Sequence, residues 1–468
     1  MFKWITQAAC ASDARATRSA TLLLALALLG APALAQTPQP EETPTSTPAA
    51  TPQSAPESWG WHVQLTDMTQ KHGSFNSPYA GANSLPSHES AKETFDATLF
   101  LGVRVWNGGE IYLNPELDQG FGLAGTLGVA GFTSGEAYKV GHDSVYGRLP
   151  RAFLRQTFAL GEALSEVESD ANQLAGSRPD DRITLTLGKF SVVDIFDTNA
   201  YAHDPRADFL NWSIIDGGAF DYAADSWGFT SGGAAEWTRG DWSLRGGLMA
   251  MSKRPNDMTI DGTFKQRQWI AEVERRYSWM GHPGAVRLLG FLTQARMASY
   301  ADALNQAQAS DEMPSDLAPL RQRRRKQGFV INAEQELAPD AGAFLRYSRN
   351  DGRTEAYDFT DINESVSGGL QVKGRIWGQP EHSAGLALAR NGLSANARQY
   401  FATAGLGIVI GDGQLLHYAT EQILEAYYNA RLGKALSITA DYQYVRNPAY
   451  NADRGPVSVF GLRIHAEY

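Results

Sequence analysis

From about residue 59 onward the chain alternates apolar and polar positions with a period of two. The final segment, 457–468, is the clearest case. Phe460, Leu462, Ile464, Ala466 and Tyr468 share one parity, and Arg463, His465 and Glu467 share the other. Successive side chains of a strand point to opposite faces, so this segment predicts a strand with an apolar face ending in an aromatic and a charged face behind it. Residues 95–105 behave alike: Phe95, Ala97, Leu99, Leu101, Val103 and Val105 alternate with Asp96, Thr98, Phe100, Gly102 and Arg104, and Trp106 continues the second row. Asn332, Glu334 and Glu336 alternate with Phe329, Ile331 and Ala333, and Glu425, Tyr427, Asn429 and Arg431 alternate with Leu424, Ala426, Tyr428 and Ala430.

Counting such segments predicts about 16 strands, at 59–69, 92–106, 109–115, 150–160, 182–191, 227–238, 241–252, 266–277, 285–299, 327–338, 341–350, 362–374, 382–391, 421–432, 435–446 and 456–468. Short turns such as Asn107-Gly-Gly109 and Gly433-Lys434 alternate with long connections at 71–90, 116–149, 193–226, 300–325, 393–420 and 446–456. Short turns at one end and long loops at the other are the pattern of an outer-membrane barrel, whose apolar faces meet lipid and whose polar faces line a watery lumen. The fold class expected is therefore all-β: a transmembrane antiparallel β-barrel with long external loops. The connection 161–182 is long for its side and predicts a helical turn or an insertion.

The amino terminus adds a compartment. Lys3, Arg15 and Arg18 precede the apolar run 21–30, and Ala33-Leu-Ala35 forms a cleavage site, so residues 1–35 read as a secretory signal and Gln36 begins the mature chain. Residues 36–58, rich in Pro, Thr, Gln and Ala, predict an extended tether, and 59–468 the barrel. The single cysteine, Cys10, leaves with the signal, which excludes disulfides and cysteine metal sites in the mature protein. Mean hydropathy is −0.33, and a barrel needs no hydropathy peak because its apolar residues are spread over alternating positions. The formal charge of −10 becomes −12 once the signal's three basic residues and one acid are removed, which argues against nucleic acid as a partner. The run Arg321-Gln-Arg-Arg-Arg-Lys326 is the exception; it reads first as a solvated loop flank, with a contact for anionic lipopolysaccharide or nucleic acid as the alternative.

Enzyme signals are poor. No metalloprotease or phosphate-loop motif occurs, and the glycine-rich run 405–411 has the wrong spacing for a dinucleotide fingerprint. Candidate contacts for a solute are instead the lumen-parity residues. Arg104, Glu116, Glu425 and Arg463 could hydrogen-bond hydroxyls, and Phe100, Trp106 and Trp212 could stack on an apolar sugar face. The connection 193–226, with Arg206 and Trp212, is the candidate constriction if it folds inward. Two other readings stand beside a pore: a surface or adhesion barrel with a non-conducting lumen and loop-based binding, and an exported glycan-binding β-sandwich.

One long motif makes the chain recognisable. Residues 188–213, with Asp194-Ile-Phe-Asp197, His203-Asp-Pro-Arg206 and Phe209-Leu-Asn-Trp212, resemble the carbohydrate-selective porin (OprB-like) family, and Gly218-Ala-Phe-Asp-Tyr222 continues the likeness. Shorter matches are Tyr112-Leu-Asn-Pro-Glu116, Gln119-Gly-Phe-Gly122, Glu425-Ala-Tyr-Tyr428, Asp441-Tyr-Gln443 and Gly461-Leu-Arg463. The resemblance spans roughly 59–468. It implies a barrel in the bacterial outer membrane that passes small sugars down their gradient, with no chemistry and no cofactor. It also implies recognition of the terminal strand by barrel assembly machinery; the expected partners of such a barrel are outer-membrane lipid and lipopolysaccharide, with a homo-oligomer left open.

Overall fold

The computed structural model describes residues 56–310 and 317–468. The expected signal and nearly all of the expected tether lie outside the described residues.

Sixteen antiparallel strands close into one barrel. In chain order they are β1 (Trp59–His72), β2 (Lys92–Trp106), β3 (Gly109–Gly120), β4 (Tyr146–Ala159), β7 (Arg182–Phe190), β8 (Thr230–Arg239), β9 (Trp242–Ala250), β10 (Arg267–Trp279), β11 (His282–Met297), β12 (Gln322–Ala338), β13 (Ala341–Asn350), β14 (Glu364–Lys373), β15 (Ser383–Gly392), β16 (Glu421–Leu432), β17 (Leu436–Arg446) and β18 (Val457–Glu467). Every expected strand is present. The remaining pair, β5 (Leu164–Val167) and β6 (Gly176–Pro179), forms a separate hairpin in the connection expected to hold an insertion. β18 pairs with β1, with Ile464 opposite Asp67 and Leu462 opposite Thr69, and this seam closes the cylinder and removes the sheet edges.

Alternation sorts the two faces as the sequence predicts. In β18, Phe460, Leu462 and Tyr468 are exposed on the outer surface, while Arg463 and His465 are buried inside. Leu288, Ile331, Leu345, Leu386 and Leu388 continue the outer apolar belt. Below it, at the short-turn end, Trp59, Trp61, Trp106, Trp242, Trp279 and Tyr428 are exposed, and Trp61 lies 5.3 Å from Tyr468. Amphipathic rings favour that boundary between hydrocarbon and water. Among the described residues no helix is long and apolar enough to cross a membrane; the crossing is made by strands.

Three boundaries differ from expectation by four residues or more. β3 runs on to Gly120 instead of stopping at 115. Pro115 cannot donate to the ladder, and it sits where the register shifts between Asn114 and Glu116, so a proline that reads as a strand end marks a bulge. Glu116 is thus a strand residue rather than the start of a loop. β4 begins at Tyr146 rather than at 150. β12 begins at Gln322, so most of the basic run 321–326 is strand and not a solvated loop flank. Lys326 is buried against Asp221 at 2.7 Å, Arg321 pairs with Glu355 at 2.9 Å, and Arg324 pairs with Asp302.

The long connections gather at the opposite end. Two of them carry helices of eight residues or more, α2 (Tyr300–Ser310) and α3 (Ala395–Ala402), which meet through Tyr300 and Tyr400 at 4.9 Å. The longest, residues 191–229, carries the short α1 (Trp212–Ile215) and turns into the lumen.

Candidate functional site

An irregular segment inside a barrel brings backbone groups that need partners. Charged side chains from the inner wall supply them. Glu425 on β16 accepts from the backbone N–H groups of Leu210 (2.5 Å) and Asn211 (3.0 Å). Arg463 on β18 donates to the carbonyls of Pro205 (2.5 Å), Ala207 (2.9 Å) and Asp208 (3.0 Å), and to Thr439 Oγ1 (3.0 Å). Arg346 on β13 donates to the carbonyls of Ala202 (2.7 Å) and Ile214 (2.8 Å), and Glu272 on β10 accepts from the N–H of Asp197 (2.8 Å). The loop is held from the wall on several sides, so residues 191–229 are a fixed inner structure.

The opposite end is narrowed by a second segment. The connection 160–181 folds back so that Leu174 reaches Gly60 and Gly102 on the inner faces of β1 and β2. Its anchors are hydrogen bonds from Asn114 Nδ2 to Asn172 Oδ1 (2.9 Å), from Arg155 to the Asn172 carbonyl (2.8 Å) and between His62 and Ser169 (3.0 Å). Glu57, just before β1, accepts from Ser169 Oγ (2.9 Å) and the Ala175 N–H (2.8 Å).

Between the two segments lies a cavity of about 900 Å³. Its wall is rich in guanidinium groups: Arg104, Arg151, Arg155, Arg178, Arg182 and Arg206. Acids face them, with Arg104 at 3.1 Å from Glu110 and Arg151 at 2.6 Å from Asp194. Phe100, Phe153 and Phe190 supply apolar surface, and the Arg155 guanidinium lies 5.0 Å over the Tyr112 ring. Planar guanidinium donors and flat rings are the two surfaces that a polyhydroxylated ring with apolar faces can use. Loop electrostatics follow from packing. Burial opposes ionisation of Asp194, but Arg151 outweighs it and holds that carboxyl below its usual range. Burial lowers the His203 imidazole, yet Asp216 at 3.5 Å more than offsets this and leaves it raised. Burial and the neighbouring Asp204 push Asp208 up to about 6, against Arg463 and a hydrogen bond from Gln371.

The residues expected to meet a solute divide clearly. Phe100, Arg104 and Arg206 line the cavity. Arg206 lies 3.5 Å from both Asp96 and Glu136. Glu116 is buried between Arg148 and Thr98, accepting from Thr98 Oγ1 at 2.5 Å. Glu425 and Arg463 are buried and committed to the loop backbone. Trp212 is buried on α1, stacked on Phe132 at 5.1 Å and tilted against Phe359 at 5.5 Å. Trp106 is on the outside. The register shifts between Arg104 and Trp106, so the bulge reverses its parity; the ring is exposed and donates to Gln156 at 2.5 Å, outside the lumen. The expectation of a lumen-facing Trp106 is corrected accordingly. Arg151 and Arg155 were not singled out from sequence, although they share parity with Phe153 and Thr157 and could have been found that way. Nothing in the sequence flags 168–175 as a wall of the cavity.

Comparison with known proteins agrees with this architecture. No curated protein matches the sequence. Among solved structures, the high-pH structure of Pseudomonas putida OprB matches with a TM-score of 0.67 at 14% identity, covering 88% of this chain and 94% of that one. The outer-membrane channel DcaP of Acinetobacter baumannii matches with a TM-score of 0.48 at 11% identity, covering 88% and 97%. Residues 82–468 match the family described as "Carbohydrate-selective porin, OprB family". The chain is thus a bacterial outer-membrane β-barrel that belongs to the OprB family of carbohydrate-selective porins.

Proposed function

We propose that the protein lets small sugars diffuse passively across the outer membrane, through the lumen constricted by residues 191–229 and 160–181. The observation that carries this reading is the cavity between those segments, where arginines and phenylalanines face one space. Arg104, Arg151, Arg155 and Arg206 would exchange hydrogen bonds with hydroxyl groups, and Phe100 would lie against a ring face. Multiple weak contacts suit conduction, because a solute must be able to leave. The proposed partners beyond sugars are outer-membrane lipid, lipopolysaccharide and the assembly machinery that would read the β18 row ending in Tyr468. No chemical step is involved.

The test is swelling of liposomes carrying the purified protein in isotonic monosaccharide, disaccharide and amino-acid solutions. Faster swelling in monosaccharide than in amino acid of similar size is expected; equal rates for both would remove the selectivity. A second reading, a non-conducting surface barrel, is favoured by the dense packing of residues 209–225, all of which are buried. It predicts no swelling in any solute.

A further inference from the structure

We propose that the outer wall of β10–β12 carries a binding site for the phosphate groups of lipopolysaccharide, formed by Arg267, Arg296, Arg323 and Arg325. The proposal rests on the outer-membrane orientation given above, with the long loops external. All four occupy outward parity at the loop ends of their strands, directly above the apolar belt that includes Trp269, Leu288 and Ile331.

Their arrangement is unfavourable without a counter-ion. Arg296 stands directly opposite Arg323 across the β11–β12 ladder. Side chains so placed have Cβ atoms about 5 Å apart, and like charges there repel. One step toward the belt, Gln294 is flanked by Arg267 on one side and Arg325 on the other, so three strands present cations within two rows. Among the described residues their hydrogen bonds go to backbone carbonyls: Arg267 to that of Phe264 (3.0 Å), Arg296 to that of Arg321 (3.2 Å) and Arg323 to that of Lys265 (3.1 Å). Arg267 also lies 4.6 Å over the Trp269 ring. Arg325 has no polar side-chain partner among the described residues.

Among the described residues, the acids nearby are engaged elsewhere. Asp302 holds Arg324, Glu355 holds Arg321, and Asp261 accepts from Thr263 and Gln266. The inner face of the same strands is the opposite case, since Arg287 reaches both Glu274 (2.9 Å) and Glu334 (3.1 Å), and Lys326 reaches Asp221. On these strands, inward cations are matched with carboxylates; among the described residues these outward ones are not, in a chain whose formal charge is −10. Guanidinium groups grip phosphate through paired N–H donors, and a patch just above the hydrocarbon boundary is at the height of outer-leaflet phosphates. Acyl chains would then lie along the belt beneath.

The experiment measures retention of bisphosphorylated lipid A, and of the same lipid after dephosphorylation, by the purified barrel in neutral detergent using native mass spectrometry. The expected result is preferential retention of the phosphorylated lipid. Replacing Arg296, Arg323 and Arg325 together by Gln should weaken it by roughly a hundredfold, given the worth of three cations at an anionic surface. The corresponding triple Lys variant should stay within about tenfold of the parent, because it keeps the charges. Equal retention of both lipids by the unmodified protein overturns the proposal and needs no variant to be folded. So does undiminished binding by the triple Gln variant. Sugar flux is read separately on the same preparations; flux that persists when lipid selectivity is absent rejects this site and leaves the transport reading standing.

Discussion

Arg463→Ala tests how the constriction is held. The side chain is fully buried and donates to three consecutive-region carbonyls, those of Pro205, Ala207 and Asp208, which bracket the cavity residue Arg206. A hydrogen bond from a charged donor contributes about 1.5–3 kcal/mol, so three represent roughly 4–9 kcal/mol gross. Water entering the vacated space can satisfy the carbonyls, and the buried cation's desolvation cost disappears, so the net loss is about 3 kcal/mol. That is roughly a hundredfold rise in the population of the released segment. The loop keeps its other anchors on Glu425, Arg346 and Glu272, so the barrel should still fold and still show heat-dependent migration in detergent gels. Single-channel recording in a planar bilayer is the assay. Conductance should rise and become noisier, and block by added sugar should weaken as Arg206 leaves the wall. Arg463→Lys should fall between, since one ammonium cannot serve three carbonyls in separate directions. Unchanged conductance, noise and block in Arg463→Ala would refute the reasoning that this arginine sets the position of 204–208.

Other outcomes follow from the same geometry. Phe100→Ala removes a ring from the cavity wall and should weaken sugar block several-fold with a modest gain in conductance, read from the same bilayer recordings. Trp106→Ala should leave conductance and block unchanged because the ring is outside the lumen; a changed block would return it to the pore. Deleting 168–175 removes the wall anchored by Glu57, Asn114 and Arg155, and should enlarge conductance more than any point substitution at that end. Asp208 has a native pKa raised to about 6, above its unfolded value, so the native state holds the proton more tightly. Stability from this group therefore falls as pH rises from 4 through 6, and Asp208→Asn should flatten that part of a melting-temperature profile; a profile unaltered over that window contradicts it.

The wall of this protein was legible because alternation is a local property. Each strand must show lipid one face and water the other, and the β18 rows ending in Tyr468 and Glu467 carry that requirement in full. Bulges were not legible. The parity of Trp106 reverses only because the ladder shifts after Arg104, and Pro115 resembles a strand end although β3 continues beyond it. The constriction was harder still. Parity identifies Glu425 and Arg463 as inward, and they are. Whether an inward charge meets a solute or a loop backbone depends on residues more than 200 positions away, such as Leu210 for Glu425, and no spacing reports that contact. The outward arginines of β10–β12 were obscured for a related reason, since a basic run reads as one cluster until pleating sends Lys326 inward and Arg325 outward.

The central claim is that sugars pass through, and bind transiently within, the arginine-lined space between 191–229 and 160–181. Single-channel current in a planar bilayer, recorded while monosaccharide is titrated on one side, tests it most directly. The account predicts stepwise ion current with saturable, concentration-dependent block that Arg104→Gln and Phe100→Ala both weaken. A barrel that inserts with its native gel mobility yet passes no current, or passes current that sugar does not affect, contradicts it.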